Sequence, residues 1–126
     1  MMLETEVFKF EPDITGISCS GRFTLGNRLQ EMEGLVNSLL DEGVRKLVLD
    51  LTHVEFVDSA GLGLMMRASG EIQQLGGTLR ISGANEQVRR LFDITRTGTI
   101  LALDPDLVTS VKKLQDGEAK TAAQSS

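Results

Sequence analysis

The chain has 126 residues, of which 40% are apolar and 25% charged, and a formal net charge of −5. This length is typical of one domain, and the apolar content suffices for a modest core. Thirteen lysines and arginines against eighteen aspartates and glutamates argue against a nucleic-acid-binding protein or a polybasic membrane anchor, because both depend on clustered positive charge.

The N-terminal segment predicts two strands. Residues 6–10 alternate polar and apolar side chains, with both phenylalanines on one face, which indicates a half-buried strand at a sheet edge. Pro12-Asp13 marks a turn, after which alternation resumes over residues 14–20. Ile17 and Cys19 share one face of this second strand. We therefore expect a hairpin, or two strands that meet at a bend.

A helix over residues 27–41 and a buried strand over residues 46–51 follow. Asn27 is the expected helix N-cap, and Gly43 lies just beyond the helix end. The strand contains consecutive apolar residues without alternation, a pattern typical of a parallel strand that helices cover on both faces. The apolar stripe of the helix comprises Leu29, Met32, Val36, Leu39 and Leu40.

The second half of the chain alternates between helix and strand. We expect a helix over residues 60–75 that stops at Gly76-Gly77, a strand over residues 78–82, a helix over residues 85–93 and a strand over residues 99–103. The apolar stripe of the first of these helices comprises Leu62, Met65, Ser69, Ile72 and Leu75.

The C-terminal region predicts a last helix followed by a tail. Asp104 is the expected cap of this helix, and Pro105 its first residue. We expect a single domain over residues 1–116 and a disordered polar tail over residues 117–126. The apolar stripe of the last helix comprises Leu107, Val108, Val111 and Leu114.

This order of elements predicts an α/β fold. Strands that alternate with helices form right-handed crossovers onto a mostly parallel sheet. The irregular start adds one antiparallel strand at the edge. The expected architecture is therefore a single domain with a parallel or mixed sheet of about five strands and four helices.

The segment at residues 54–63 is the candidate functional site. It connects the buried strand to the second helix, at the carboxyl ends of the strands, where α/β proteins usually have their sites. Ser59 lies at or next to the helix N-cap, where free backbone N–H groups and the helix dipole favour an anion. Gly61 and Gly63 allow another backbone to approach closely. The plainer interpretation is that Asp58 or Ser59 only caps the helix.

The chain offers few residues for catalysis or for ligand binding. Gly61-Leu62-Gly63 lacks the third glycine of a dinucleotide-binding loop, and the sequence contains no Gly-Lys-Ser/Thr. His53 is the only histidine and has no obvious acidic partner, so we interpret it as a surface or loop residue. Cys19, the only cysteine, is far from it in sequence. We therefore expect no metal and no cofactor.

The N-terminal residues also bear on location. The first ten, MMLETEVFKF, lack the basic start and apolar run of a signal peptide. No stretch approaches the roughly 18 consecutive apolar residues of a membrane span. We expect a cytoplasmic protein in a reducing compartment that contacts neither nucleic acid nor membrane.

Residues 56–63, Phe-Val-Asp-Ser-Ala-Gly-Leu-Gly, resemble the phosphorylation motif of STAS domains. They are most similar to the motif of the bacterial anti-sigma factor antagonists. Gly21-Arg22 and residues 45–51, 76–79, 88–92 and 95–98 resemble the flanking segments of the same family, so the resemblance covers almost the whole chain. It implies the STAS fold.

The resemblance also implies a function. Members of this group are regulatory binding proteins, not enzymes. The unphosphorylated form binds an anti-sigma factor and so frees a sigma factor. Many such anti-sigma factors are kinases that phosphorylate the motif serine, and a serine phosphatase reverses this. Ser59 would be the acceptor, with Asp58 as its acidic neighbour.

We expect the motif and the loop at residues 23–27 to form one partner surface, because both follow the carboxyl ends of strands and so lie at the same end of the sheet. Leu62 either projects as an apolar anchor or faces the core. The residues expected to bind the partner are Thr24, Asn27, Asp58, Ser59, Ala60, Gly61, Leu62 and Gly63.

Two positions depart from the family pattern. Ala60 stands where some antagonists carry a second hydroxyl residue, and Thr24 stands where the family often has an aspartate. Two alternatives stay open: a STAS subunit of a transport or signalling complex that is never phosphorylated, and a receiver-like phosphoacceptor or small hydrolase. The receiver is disfavoured because residues 20–22 and 103–105 supply neither its acidic pair nor its lysine.

Overall fold

The computed structural model describes residues 2–117. Within them the chain forms one five-stranded mixed sheet in the order β1-β2-β3-β4-β5, flanked by four α-helices, which confirms the expected α/β fold. β1 runs antiparallel to β2, and the remaining neighbours are parallel. The strands are β1 (Glu4–Phe10), β2 (Ile14–Phe23), β3 (Lys46–Val57), β4 (Thr78–Ser82) and β5 (Ala102–Asp104). The helices are α1 (Asn27–Asp41), α2 (Ser59–Gln74), α3 (Glu86–Thr95) and α4 (Leu107–Gln115).

Helices cover both faces of the sheet, as the pattern of β3 predicts. Leu47 and Leu49 of β3 belong to the large core that includes buried residues of α1, α2 and α3. Val48, between them, points to the other face and packs against Val111 and Leu114 of α4. The core side chains of α1 are those of its predicted apolar stripe. Helix α2, which begins with the motif, therefore packs into the larger of the two cores.

Four strands differ in their bounds from the expectation. β1 begins at Glu4 and β2 continues to Phe23. β3 continues to Val57, and its last six residues combine exposed ones, including His53, with the partly buried Phe56 and the buried Val54 and Val57. His53 is therefore a surface residue, but it lies on a strand. β5 is confined to Ala102–Asp104, because Thr97–Thr99 form a short 3₁₀ helix. The carbonyl of Thr97 accepts the N–H groups of Ile100 and Leu101, both at 2.9 Å, so this segment turns instead of extending.

Two predicted helix caps are wrong. Asn27 is the first residue of α1, and Gly26 precedes it as the N-cap with φ of 153° and no side-chain cap bond. The cap of α4 is Asp106, whose carboxylate accepts from the N–H of Thr109 at 2.8 Å. Pro105 consequently precedes the cap, and Asp104 ends β5.

Asp104 is instead the centre of a buried ion cluster that ties α4 to the sheet. Its fully buried carboxylate accepts from Nε of Arg80 on β4 at 2.6 Å. From α4, Oγ of Ser110 donates at 2.6 Å and Nζ of Lys113 at 3.0 Å. Burial opposes ionisation, but these donors outweigh it and lower the pKa of Asp104 to about 2.

Three surface features also differ from the predicted pattern. β1 is mostly exposed and not half-buried; Phe8 is only partly covered and Phe10 is exposed. Leu75 follows the end of α2 and is exposed, although it was expected to extend the apolar stripe. Val108 of α4 is 76% exposed, because α4 turns Ser110, Val111 and Leu114 towards the sheet. The tail expected from residue 117 lies, beyond Gly117 itself, outside the described residues.

Candidate functional site

Ser59 is exposed and is the first residue of α2, directly after β3. The helix cap is its neighbour Asp58, whose carboxylate accepts from the N–H of Gly61 at 2.8 Å. The capping interpretation therefore holds for Asp58 and not for Ser59. Since the hydroxyl of Ser59 is not needed as the cap, it is accessible at the positive end of a 16-residue helix.

Asp58 also links the motif to the loop that follows β2. Its second carboxylate oxygen accepts from the N–H of Leu25 at 3.0 Å. The N–H of Asp58 lies 3.4 Å from the carbonyl oxygen of Phe23. Gly61 packs against that same carbonyl so closely that a β-carbon would overlap it. The two segments expected to share one surface are thus held together by one carboxylate and one tight backbone contact.

The local electrostatics favour an ionised Asp58. Partial burial works against the charged form, but the backbone N–H groups of Leu25 and Gly61 more than compensate, and the pKa of Asp58 is lowered. A phosphate on Ser59 would add about −1.5 to −2 charges beside this carboxylate. Modification would therefore make this surface more negative, while the helix N-terminus makes the added charge tolerable.

The residues expected to bind a partner divide into exposed and buried ones. Ser59 and Asn27 are exposed, and Thr24, Ala60 and Gly63 are partly exposed. Gly61 is buried against Phe23, so its role is to permit close packing.

Leu62 is only 8% exposed and belongs to the large core, so of the two options left for it the apolar anchor is wrong. The reason is the cap. With Asp58 as N-cap, the N–H of Leu62 donates to the carbonyl of Asp58 at 2.9 Å. This places Leu62 on the inward face of α2, one turn before Met65 and in the same core.

Two exposed aliphatic residues near Ser59 were not among the predicted site residues. Leu25, in the loop after β2, is 76% exposed, and Ile94, near the end of α3, is 73% exposed. Leu25 shares with Ser59 a depression of about 250 Å³ against α1 and α2. Ile94 shares with Ser59 a separate groove of about 420 Å³ against α3. The sequence could have indicated Leu25, because it is an aliphatic residue in a polar loop. It could not have indicated Ile94, because the exposure of that residue is evident only in the folded helix.

Ser59 thus lies on the rim of both depressions. His53 lies four strand positions before Val57, roughly 13 Å along β3 at about 3.3 Å per residue. In the described part of the chain, no group of three His, Cys, Asp or Glu side chains is placed to hold a metal ion. The helices described there are all too short or too polar to span a bilayer. The arrangement suits an accessible hydroxyl on a protein-contact surface.

Comparisons with known proteins agree with the observed fold. The model of the STAS domain family matches residues 7–110. The anti-sigma-B factor antagonist of Staphylococcus epidermidis is 35% identical over 65 residues, which are 52% of this chain and 60% of that relative. The match therefore spans less than two thirds of the length of this curated relative.

Solved structures establish the fold. An anti-sigma factor antagonist from Mycobacterium paratuberculosis superimposes with a TM-score of 0.80 at 19% identity, over 90% of this chain and 95% of that one. The Bacillus cell fate determinant SpoIIAA in its phosphorylated form gives a TM-score of 0.70 at 12% identity, over 88% and 99% of the two chains. At these identities the similarity concerns the fold alone.

Proposed function

This chain belongs to the STAS domain family, and from that premise we propose that it is an anti-sigma factor antagonist switched by phosphorylation of Ser59. The unphosphorylated form sequesters an anti-sigma factor, and the phosphorylated form releases it. The observation that carries the proposal is the exposed Ser59 hydroxyl at the start of α2, beside an ionised Asp58 and outside the helix cap.

The contact surface would consist of the exposed part of the motif and the adjoining loop. Ser59, Ala60 and Gly63 contribute from α2, while Thr24 and Leu25 contribute from the loop. Leu25 takes the place of Leu62 as the apolar anchor, since it is the aliphatic residue of this surface that is exposed. The bond from Leu25 to Asp58 supports a preformed surface, which lowers the entropic cost of binding.

The switch would act through charge. A partner that covers Ser59 must remove water from any phosphate attached there, and a buried charge without a partner typically costs about 2–5 kcal/mol. The neighbouring carboxylate of Asp58 is itself negative and therefore cannot compensate the charge of the phosphate. The chemistry of transfer, including ATP, metal and base, would come from the kinase.

The first test is the site of modification. The protein is incubated with ATP and its cognate serine kinase, and the phosphate is mapped by mass spectrometry. We expect modification at Ser59, which is exposed, and not at Ser69 or Ser82, which are buried. Ser59→Ala should abolish labelling, and Thr24→Ala should retain it. Phosphate on Thr24, with Ser59 unmodified, would contradict the proposal.

Two further parts of the proposal concern what the protein does not do. We propose a cytoplasmic binding protein without enzymatic activity, so purified protein should hydrolyse neither nucleotides nor esters. A turnover that persists through purification and disappears in Ser59→Ala would favour the hydrolase alternative. Failure of every cognate kinase to label Ser59, together with stable association with a transporter subunit, would favour the unphosphorylated STAS subunit.

A further inference from the structure

The groove between the end of β3 and α3 is not part of the surface described above, except at its rim. Its volume is about 420 Å³, and its lining is mostly apolar. Phe56 and Val57 contribute from β3, while Leu91 and Ile94 contribute from α3. We propose that this groove is a second docking site for the anti-sigma partner and that it takes an aliphatic side chain flanked by a carboxylate. The inference rests on the proposed function and extends its contact surface.

The outer face of α3 has the pattern of a protein-binding helix. Val88 and Phe92 are buried beneath it, so the helix is anchored without Ile94. Gln87, Leu91 and Ile94 are spaced by four and three residues, which places them along one face, and all three line the groove. An isoleucine that is 73% exposed at the end of such a row leaves apolar surface that a partner can cover.

The groove is held open by specific bonds and is therefore preformed. Asn85 caps α3 by accepting from the N–H of Val88 at 2.8 Å. The amide nitrogen of the same side chain lies 3.2 Å from the carbonyl oxygen of Val54 on β3. One residue thus fixes the start of α3 against the strand that forms the opposite wall.

Charge indicates the chemistry of the occupant. Arg90 lines the groove, and Arg22 lies over the ring of Phe56 with its guanidinium carbon 5.3 Å from the ring centroid. These cations stand out on a chain whose net charge is −5. The one carboxylate in the lining, Asp58, is engaged with two backbone N–H groups. Asp58 remains negative, but its oxygens are occupied, so the charged side chains left to bond a partner at this groove are Arg90 and Arg22, and these complement an acidic segment.

The position of Ser59 connects this groove to the switch. Ser59 lies on its rim as well as on that of the depression beside α1. A phosphate there would stand at the mouth of a groove that holds an acidic segment, and like charges would repel. The phosphate would thereby displace the acidic segment of the partner from the groove.

The test compares matched exposed residues on opposite faces of the sheet. Ile94→Ser and Arg90→Glu alter the groove. Val108→Ser and Lys112→Glu make the same changes on α4, at residues that are similarly exposed. Each variant is titrated calorimetrically against the kinase that labels Ser59, with thermal melts to confirm folding. We expect Ile94→Ser and Arg90→Glu each to weaken binding by about tenfold or more, and both α4 variants to bind within about twofold of the parent.

Salt provides a second readout. The loss caused by Arg90→Glu should shrink as ionic strength rises, whereas the loss caused by Ile94→Ser should not. Parent-like affinity of both groove variants, with Ser59→Asp still impaired, would overturn the docking site and leave the proposed function standing. Tighter binding by Arg90→Glu would also overturn it, because the occupant would then be basic. If the parent binds no such kinase, both proposals fall.

Discussion

Asp58 is the residue on which the local structure of the proposed switch depends. One carboxylate oxygen caps α2 and the other holds the N–H of Leu25, so a single side chain sets both the start of the helix and the position of the neighbouring loop. The adjacent Ser59 is left free for modification. Removal of each side chain should therefore have a distinct effect.

We expect Asp58→Ala to loosen the loop as well as the helix. Loss of a cap typically costs about 0.5–2 kcal/mol of stability, and the Leu25 amide loses its acceptor. Hydrogen exchange at that amide should become faster. Asp106→Ala is the matched control, because Asp106 caps α4 through Thr109. It should lower the melting temperature to a similar degree and leave exchange at Leu25 unchanged. Unchanged exchange at Leu25 in Asp58→Ala would contradict the bridging role.

We expect Ser59→Asp to fold like the parent and to bind the anti-sigma partner more weakly. Negative charge at a helix N-terminus is tolerated or mildly favourable, whereas a partner must dehydrate it, which typically costs about 2–5 kcal/mol of affinity. Ser59→Ala should retain binding and escape control by the kinase. Calorimetric titrations and melts measure both effects. Parent-like affinity of a well-folded Ser59→Asp would mean that charge at this position is not the switch.

At the scale of elements, α4 is attached to the sheet by ions as well as by packing. Arg80 and Asp104 are both buried, and Ser110 and Lys113 complete the cluster from α4. Because the cluster lies on the sheet face opposite α1 and α2, its residues can be substituted without changing the proposed contact surface around Ser59.

We expect stability to fall in acid because Asp104 must be protonated. Its pKa is about 2 in the folded protein and about 3.9 in an unfolded chain. A lowered folded pKa contributes stability that is fully present above about pH 4 and is lost as the pH falls through about 2. Chemical denaturation from pH 5 to 2 should show this slope in the parent and a flatter one in Asp104→Asn.

Asp104→Asn should also destabilise the protein at neutral pH by about 3–5 kcal/mol, because it leaves a buried arginine without its counter-charge. Asp13→Asn is the control, since it breaks only the exposed contact with Lys46 at 3.4 Å and such pairs contribute about 0–1 kcal/mol. An Asp104→Asn variant as stable as this control would show that the cluster does not hold α4.

At the scale of the whole molecule, periodicity is enough to predict an α/β fold with a mostly parallel sheet of about five strands, whereas the order of the strands in the sheet is not predicted. The stripe of α1 and the unalternating centre of β3 are local patterns, which is why they can be recognised in the sequence. The errors arise at residues whose role depends on a contact with a distant part of the chain. Asp106 and not Asp104 caps α4, because Arg80 on a distant strand engages Asp104. Leu25 was not among the predicted site residues, and the bond that links it to the motif is made by its N–H with Asp58, 33 residues away.

Variants of Leu62 and Leu25 should distinguish a core side chain from a side chain on the proposed contact surface. Leu62→Ala removes a core side chain and should cost roughly 2–5 kcal/mol of stability. Leu25→Ala changes an exposed one, so the melting temperature should be preserved while partner affinity falls. Thermal melts and titrations of the two variants test this. A stable Leu62→Ala that binds poorly would return Leu62 to the role of anchor.

The contact between Gly61 and the carbonyl of Phe23 has a consequence for mutational screens. A library of variants scored by partner binding would report Gly61 as intolerant, although the side chain it excludes would meet the protein's own backbone. Gly63, only two positions later, has room for a β-carbon, with the nearest atom of Arg67 at 3.4 Å. Sensitivity at the first glycine therefore measures an internal collision. Only the tolerance profile of the second can report what the partner itself requires.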